Sequence, residues 1–112
     1  MPKHILVDIA DRVGRITFNT PQNLNALTPE MLAEVLEAVE AFEANPDVRV
    51  LMFTGAGKGF SAGGDMDFME RLSQMTPFEI KETVYKHFAG AAKAIKLCPK
   101  PTIAAVNGAA VG

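Results

Sequence analysis

Near the start of the chain, apolar and polar side chains alternate with the period of a β-strand. Ile5, Val7 and Ile9 fall on one face of the first strand candidate, and a second strand is predicted for Val13–Asn19. The intervening stretch Asp11-Arg12-Val13-Gly14 is rich in residues that favour turns. We therefore expect the two strands to form a hairpin.

The period then changes to that of a helix. Thr28-Pro29-Glu30 is typical of a helix start, because Thr caps the first turn, Pro fits its first position and Glu favours the positive end of the dipole. Apolar residues recur at helical spacing as far as Phe42, and Asn45-Pro46-Asp47 predicts the helix end. The stretch Val48–Thr54 is apolar at nearly every position, as in a strand covered on both faces. This order of strands and helix predicts an α/β fold.

The second half of the chain predicts two more helices and a strand. Asp65 opens a short helix, and Thr76-Pro77-Phe78-Glu79 forms a capping box that starts a longer one, ending before Pro99. Thr102–Val106 follows as a short apolar strand, and Asn107-Gly108 as a turn. The residues that the longer helix is expected to bury are Ile80, Val84, Phe88, Ala91 and Ile95.

Composition narrows the class of protein. The 112 residues suffice for one domain, and 48% hydrophobic with 21% charged residues is the balance of an ordinary globular protein. A net charge of -2 without a run of basic residues argues against a nucleic-acid partner, and no apolar stretch predicts a membrane span. Cys98 is the single cysteine, so no internal disulfide is possible, which favours a reducing, cytoplasmic location.

The segment GKGFSAGGDM, residues 57–66, is the clearest candidate for chemistry. A phosphate-binding loop requires Gly-Lys followed by Ser or Thr, but Lys58 is followed by Gly59. The dinucleotide fingerprint would need its third glycine at position 60, which is Phe60. Both nucleotide interpretations lack a residue that their mechanism needs, and a nucleotide-binding α/β module remains only as an alternative.

A third interpretation concerns the backbone. Ser61-Ala62-Gly63-Gly64 has almost no side-chain bulk, so its main chain can approach a ligand closely. Asp65 is a plausible N-cap, which places the N–H of Gly64 beside the positive end of a helix. Such a donor stabilises an oxygen that gains negative charge. A tight strand-to-helix turn without function explains the same residues, and the pattern alone does not separate the two.

Four stretches, in this order along the chain, resemble one family, the enoyl-CoA hydratase/isomerase or crotonase superfamily. They are TPQNLNAL at 20–27, VLMFTG at 50–55, FSAGGDM at 60–66 and KPTIAAVNGAAVG at 100–112. The resemblance implies a spiral fold of ββα units. It also implies that residues 1–112 form the N-terminal portion of a domain about twice as long, truncated before the C-terminal half and the trimerisation helices.

The resemblance also implies roles for individual residues. The backbone N–H of Gly64 would bind the thioester carbonyl of an acyl-CoA and so form one half of an oxyanion hole. A second donor would directly follow Gly112, and the acid/base carboxylates would lie further on. No metal or redox cofactor is expected, because coenzyme A enters as part of the substrate. The residues implied in substrate binding are Gln22, Leu24, Ala26, Ala62, Gly64, Asp65, Met66 and Asp67.

The function that follows is stabilisation of a thioester enolate by an acyl-CoA hydratase (a lyase) or isomerase of fatty acid metabolism. The resemblance implies a homotrimer or a dimer of trimers for the intact protein, with no nucleic-acid or membrane partner. Residues 1–112 alone are expected to be inactive, because the second donor and the carboxylates are missing. A non-catalytic interaction domain on the same fold is the other alternative.

Overall fold

A computed structural model describes residues 2–112. Its four strands are β1 (Ile5–Ala10), β2 (Val13–Phe18), β3 (Val50–Gly55) and β4 (Thr102–Ala104), and they form one sheet in the order β1-β2-β3-β4. The first pair is antiparallel, whereas β2 with β3 and β3 with β4 are parallel. The predicted hairpin and α/β arrangement are confirmed.

The hairpin turn consists of two residues. Asp11 and Arg12 have φ angles of 52° and 66°. Positive φ at both central residues matches the right-handed twist of the flanking strands, as two-residue hairpin turns require. Val13 and Gly14, which the sequence assigned partly to the turn, lie in β2 and pair with Ala10 and Ile9.

The first helix, α1 (Pro29–Ala44), supplies much of the core. Thr28 caps it, with Oγ1 accepting a hydrogen bond from the Met31 N–H at 3.1 Å, as predicted. Its apolar side packs on the sheet, and each large side chain buried there contributes about 1.5–3 kcal/mol. The buried core residues of this cluster are Ile5, Ile16, Phe18, Met31, Val35, Ala38, Val39, Phe42, Val48, Leu51 and Phe53.

Three further helices follow β3: α2 (Met66–Ser73), α3 (Pro77–Thr83) and α4 (Gly90–Leu97). A π-helical turn, Val84–Ala89, joins α3 to α4, so the single helix predicted after the capping box is continuous but carries one wide turn. The capping box itself is present: the Glu79 N–H donates to Thr76 Oγ1, and the Thr76 N–H donates to Glu79 Oε1.

The predicted burial of this helical segment is largely wrong. Only Ala91 is fully buried, whereas Ile80, Val84, Phe88 and Ile95 are half-buried. The physical reason is that the segment covers the edge of the core and not its centre. Phe88 stacks on the buried Phe68 ring with centroids 5.4 Å apart, and so ties this segment to α2.

Two strands are also less covered than the sequence predicted. Val7 and Ile9 share a face of β1 with Ile5, but they are 40% and 47% exposed. In β3, Leu51 is buried while Met52, on the opposite face, is half-buried. Periodicity identifies the apolar face, but β1 is the edge strand of the sheet, so α1 covers Val7 less completely than its buried partner Ile16 on β2.

The last strand is shorter than the predicted Thr102–Val106. The described strand ends at Ala104, although the Ala105 N–H still donates to the carbonyl of Phe53 at 2.8 Å. Ile103 and Val106 are 52% and 56% exposed. None of the helices in residues 2–112 has the length and apolarity that crossing a membrane requires.

Glu34 attaches the start of the chain to α1. Its Oε1 accepts from the N–H groups of Lys3 and His4 at 3.0 and 2.8 Å, and its Oε2 lies 2.6 Å from His4 Nδ1. Partial burial raises the pKa of Glu34, but the hydrogen bonds from His4 and Lys3 outweigh it and hold the pKa below its ordinary value.

The first prediction concerns Gly14 on β2. A Cβ at this position would lie 2.6 Å from the Phe42 ring, which is too close for ordinary packing. We expect Gly14→Ala to lower the free energy of unfolding by about 1–3 kcal/mol, the usual effect of overpacking a core. Gly90→Ala is the control, because the nearest atom to its Cβ is 3.6 Å away and alanine favours helix by up to about 1 kcal/mol.

Chemical denaturation of both variants and the parent protein measures this difference. An equal unfolding free energy for Gly14→Ala and the parent would contradict the close packing of α1 on β2.

The second prediction concerns the pH dependence of stability. A carboxylate whose pKa is lower in the folded state binds fewer protons than the unfolded chain does. Its stabilisation is therefore complete above the unfolded pKa and is lost as the pH falls through the folded pKa. We expect Glu34→Gln to unfold with a shallower pH dependence below about pH 4.5, the ordinary value for this carboxyl. Denaturation series across this acid range measure the slope, and equal slopes would be the contrary result.

Candidate functional site

Three stretches meet where the parallel strands end. The loop Thr20–Leu27 follows β2, and residues 56–65, called the glycine segment below, follow β3. Residues 107–112, called the C-terminal run, follow β4. The carboxyl ends of parallel strands share one edge of a sheet, which is where α/β proteins commonly bind ligands. The fold therefore places the sequence-predicted site at a favourable edge.

Backbone hydrogen bonds join the loop to the glycine segment. The Ala62 N–H donates to the Leu24 carbonyl at 3.0 Å. The Leu27 N–H donates to the Gly63 carbonyl at 2.6 Å, and the Asp65 N–H donates to the Leu27 carbonyl at 2.9 Å. The two stretches thus run side by side, with Leu27 opposite Gly64 in a parallel bridge.

The C-terminal run lies beside the same segment. The N–H groups of Phe60 and Ser61 both donate to the Ala109 carbonyl, at 3.0 and 3.1 Å, and the Val111 N–H donates to the Ser61 carbonyl at 3.0 Å. A Cβ on Gly63 would lie 2.8 Å from the Val111 carbonyl oxygen, and Gly63 has a φ of 86°. Glycine is required at position 63 for both reasons.

Gly64 differs from its neighbours in its hydrogen bonding. The Gly63 N–H donates to Ser61 Oγ at 3.1 Å, and the Asp65 N–H is bonded to Leu27. Within residues 2–112, the N–H of Gly64 donates to no protein acceptor. A backbone donor beside a helix N-terminus is thereby available to a ligand oxygen.

The helix end next to this donor is formed as predicted. Asp65 is the N-cap of α2, and its Oδ2 accepts from the Phe68 N–H at 3.0 Å. Asn23 Nδ2 lies 3.5 Å from the other carboxylate oxygen of Asp65. Both oxygens of this carboxylate therefore contact neighbouring groups.

The other predicted binding residues differ in their exposure to solvent. Leu24, Ala62 and Asp67 are exposed, and Met66 is 81% exposed. Ala26 is buried, and its N–H donates to the Asn23 carbonyl at 3.2 Å.

Gln22 is the least connected of the predicted binding residues. It is exposed in a 3-10 turn, Pro21–Asn23, and no hydrogen bond among the described residues joins it to the glycine segment. The structure thus joins Leu24 to Ala62, two residues before Gly64, whereas Gln22 makes no such contact within residues 2–112.

Two asparagines organise the site and were missed from the sequence. Asn25 is fully buried, and its amide donates to carbonyls of the glycine segment. Asn107 Oδ1 accepts from the Gly55 N–H at 3.0 Å, and its Nδ2 donates to the Gly57 carbonyl at 3.2 Å. The signal available in the sequence was an asparagine beside apolar residues within two of the family-like stretches: Asn25 follows Leu24 in residues 20–27, and Asn107 follows Val106 in residues 100–112.

Across residues 2–112, no group of three or more His, Cys, Asp or Glu side chains is arranged to hold a metal ion. What the arrangement offers chemically is hydrogen-bond donation from the backbone.

Comparison with known proteins agrees with this architecture. The enoyl-CoA hydratase/isomerase family model matches residues 8–112. The chain is 37% identical over 111 residues to a crotonyl-CoA hydratase of Syntrophomonas wolfei, covering 98% of this chain and 41% of that protein. It is 32% identical over 112 residues to a 1,2-epoxyphenylacetyl-CoA isomerase of Escherichia coli, covering 100% of this chain and 43% of that protein.

A solved structure extends the comparison to the fold. An enoyl-CoA hydratase/isomerase from Xanthobacter autotrophicus superposes with a TM-score of 0.87 at 34% identity, covering 96% of this chain and 40% of that one. The chain thus spans about two fifths of the length of the relatives it matches. With nearly all of its residues matched by the family model, the chain belongs to the enoyl-CoA hydratase/isomerase family.

Proposed function

We propose that this chain is the N-terminal part of an enzyme that acts on an acyl-CoA thioester, in which the Gly64 N–H donates a hydrogen bond to the thioester carbonyl oxygen. The single observation that carries the proposal is the N–H itself, which has no acceptor among residues 2–112 while both neighbouring N–H groups are bonded. Two of the relatives, a crotonyl-CoA hydratase and a 1,2-epoxyphenylacetyl-CoA isomerase, are named for reactions of CoA thioesters, which supports the proposed substrate class.

The chemistry that such a donor supports is enolate formation. When a nucleophile adds to the β-carbon, or a proton leaves the α-carbon, negative charge develops on the thioester oxygen. A preorganised N–H strengthens its hydrogen bond as this charge grows, so it stabilises the transition state more than the ground state. Removing one such donor typically costs about 3–4 kcal/mol in the barrier. The N-terminus of α2 adds a favourable dipole next to Gly64.

The coenzyme A part of the substrate would bind along the two adjoining stretches. In this proposal the backbone from Ala62 to Asp67 contacts the pantetheine and adenine ends, and the loop around Gln22, Leu24 and Ala26 lines the same site. Low side-chain bulk at Ala62 and Gly64 supports close approach by the ligand.

The remaining chemistry would come from residues beyond those described. A Cβ on Gly63 would lie 3.3 Å from the backbone carbon of Gly112, so the C-terminal run ends beside the glycine segment. We propose that a second donor follows Gly112 in the complete protein and that the acid/base carboxylates lie further on. The complete protein would then be a hydratase or isomerase that needs no metal or redox cofactor, assembled as a trimer or a dimer of trimers.

The third prediction tests the donor. Gly64→Pro removes the N–H, and we expect kcat of the complete enzyme on an acyl-CoA substrate to fall by about 100-fold or more. Gly64→Ala is the matched control, because it keeps the N–H and its Cβ meets only the flexible end of Met69. Circular dichroism and thermal unfolding show which variants are folded.

If folded Gly64→Pro enzyme turned over substrate as fast as Gly64→Ala, the proposed role of this N–H would be refuted. Loss of activity in both variants, with intact folding, would instead indicate that the space above Gly64 matters more than the hydrogen bond.

The fourth prediction concerns residues 1–112 alone. With one donor and without the implied carboxylates, this chain should not hydrate crotonyl-CoA at a measurable rate. The assay follows loss of the enoyl thioester absorbance with protein purified from a host that lacks its own hydratase. Turnover that scales with protein concentration and disappears in Gly64→Pro would contradict the prediction.

A further inference from the structure

Asn25 is a polar residue of the Thr20–Leu27 loop without exposed surface, and its side chain contacts the glycine segment. Its φ of 58° is in the left-handed region, which asparagine tolerates better than most residues. A fully buried polar side chain is stable only if its hydrogen-bonding groups are paired.

The Asn25 side chain meets that requirement completely. Its Oδ1 accepts from the Thr20 N–H at 2.8 Å, and its Nδ2 donates to the carbonyls of Ala56 and Gly59 at 3.0 and 2.9 Å. One side chain therefore connects the start of the loop after β2 with the turn after β3.

The backbone of Asn25 extends this connection toward Gly64. The Asn25 carbonyl accepts from Ser61 Oγ at 2.8 Å, and Ser61 Oγ in turn accepts from the Gly63 N–H at 3.1 Å. The hydroxyl has a single hydrogen. Because this hydrogen points to Asn25, the oxygen lone pairs are left to face Gly63.

The carbonyl group of Gly63 is also hydrogen-bonded to the Thr20–Leu27 loop. It accepts from the Leu27 N–H at 2.6 Å, two residues after Asn25. A peptide unit is planar and trans, so the N–H of Gly64 points opposite to the carbonyl of Gly63. Holding the N–H and the carbonyl of Gly63 therefore sets the direction in which Gly64 donates.

We propose that Asn25 is a positioning residue, which orients the Gly64 N–H through Ser61 and Leu27. The inference rests on the proposed function, since it takes this N–H as the donor to the thioester oxygen. A displacement of about 1 Å in a reacting geometry can cost about 100-fold in rate. Loosening these contacts should therefore lower kcat more than it raises KM, because the hydrogen bond from Gly64 strengthens as charge develops in the transition state.

The first test is Asn25→Asp in the complete enzyme. The carboxylate keeps the shape and the acceptor for the Thr20 N–H, but it replaces the donor that faces Ala56 and Gly59 with an oxygen. We expect kcat to fall about 10- to 100-fold with KM within about 3-fold of wild type. Burial and the facing carbonyls raise the pKa of an aspartic acid at this position, and its protonated form regains one of the two donated hydrogen bonds. The ratio of variant to wild-type kcat should therefore rise as the pH is lowered.

Asn45→Asp is the matched control. Asn45 Oδ1 accepts from the Asp47 N–H at 2.9 Å in the turn after α1, and aspartate keeps that acceptor. This variant makes the same chemical change away from Gly64 and should retain the wild-type kcat and pH profile.

A second variant keeps the proposal testable if Asn25→Asp does not fold. Ser61→Ala removes only the hydroxyl between Asn25 and Gly63, and we expect kcat to fall about 10-fold or more without a matching change in KM. Its control is Ser73→Ala, which makes the same chemical change and removes a hydroxyl that donates to the Glu70 carbonyl at 2.6 Å, outside this network.

The outcomes separate the two proposals. If wild type is active and Gly64→Pro is not, but folded Ser61→Ala and any folded Asn25→Asp keep kcat within about 2-fold of their controls, the positioning role is overturned and the function stands. If Gly64→Pro keeps wild-type turnover, the proposed function itself fails. A loss confined to KM, or one matched by the controls, would also overturn the positioning role.

Discussion

The site depends on one backbone interaction, the parallel bridge between Leu27 and Gly64. In such a bridge one residue bonds to the partners before and after its counterpart. Leu27 accordingly contacts the Gly63 carbonyl and the Asp65 N–H, at 2.6 and 2.9 Å. The counterpart, Gly64, directs its own N–H away from Leu27. An available donor at position 64 is therefore a geometrical consequence of the pairing that fixes its neighbours.

Two of the glycines in the segment serve the packing of the protein on itself. A Cβ on Gly57 would contact Pro21 at 3.0 Å, and one on Gly63 would meet the Val111 carbonyl oxygen at 2.8 Å. Gly59 and Gly64 differ, because a Cβ on Gly59 would have its nearest neighbours 3.9 Å away and one on Gly64 would meet only the flexible end of the Met69 side chain. Close approach of the chain to itself thus explains the glycines at positions 57 and 63 but not those at 59 and 64.

Local signals in the sequence predicted the elements well. Thr28 and Asp65 were expected to cap helices and do so through side-chain oxygens, because capping depends only on residues three positions apart. The hairpin follows from the same kind of short-range signal. Burial was predicted less well: Val7 lies on the same face as the buried Ile5, but periodicity does not encode how far α1 extends over that face.

The hydrogen bonds that organise the site could not be predicted from short-range sequence signals either, because they join residues that are far apart in the chain. Asn25 bonds to residues 31 to 36 positions away, so its role depends on the register between distant loops. The π-helical turn at Val84–Ala89 likewise has no capping or turn signal in its sequence. The resemblance to the family predicted the role of Gly64. The residues that position Gly64 were identified only from the hydrogen bonds of the folded chain.

The described residues at this edge of the sheet are suited to stabilising negative charge and less suited to transferring protons. A backbone N–H stabilises negative charge, but it does not exchange a proton with a substrate carbon during turnover. The carboxylate next to Gly64 in the chain, Asp65, has one oxygen bonded to the Phe68 N–H and the other 3.5 Å from Asn23 Nδ2. Using it as a base would compete with capping of α2, which is worth about 1 kcal/mol. Charge stabilisation and proton transfer are therefore separable in this architecture, and the described residues are suited to the first.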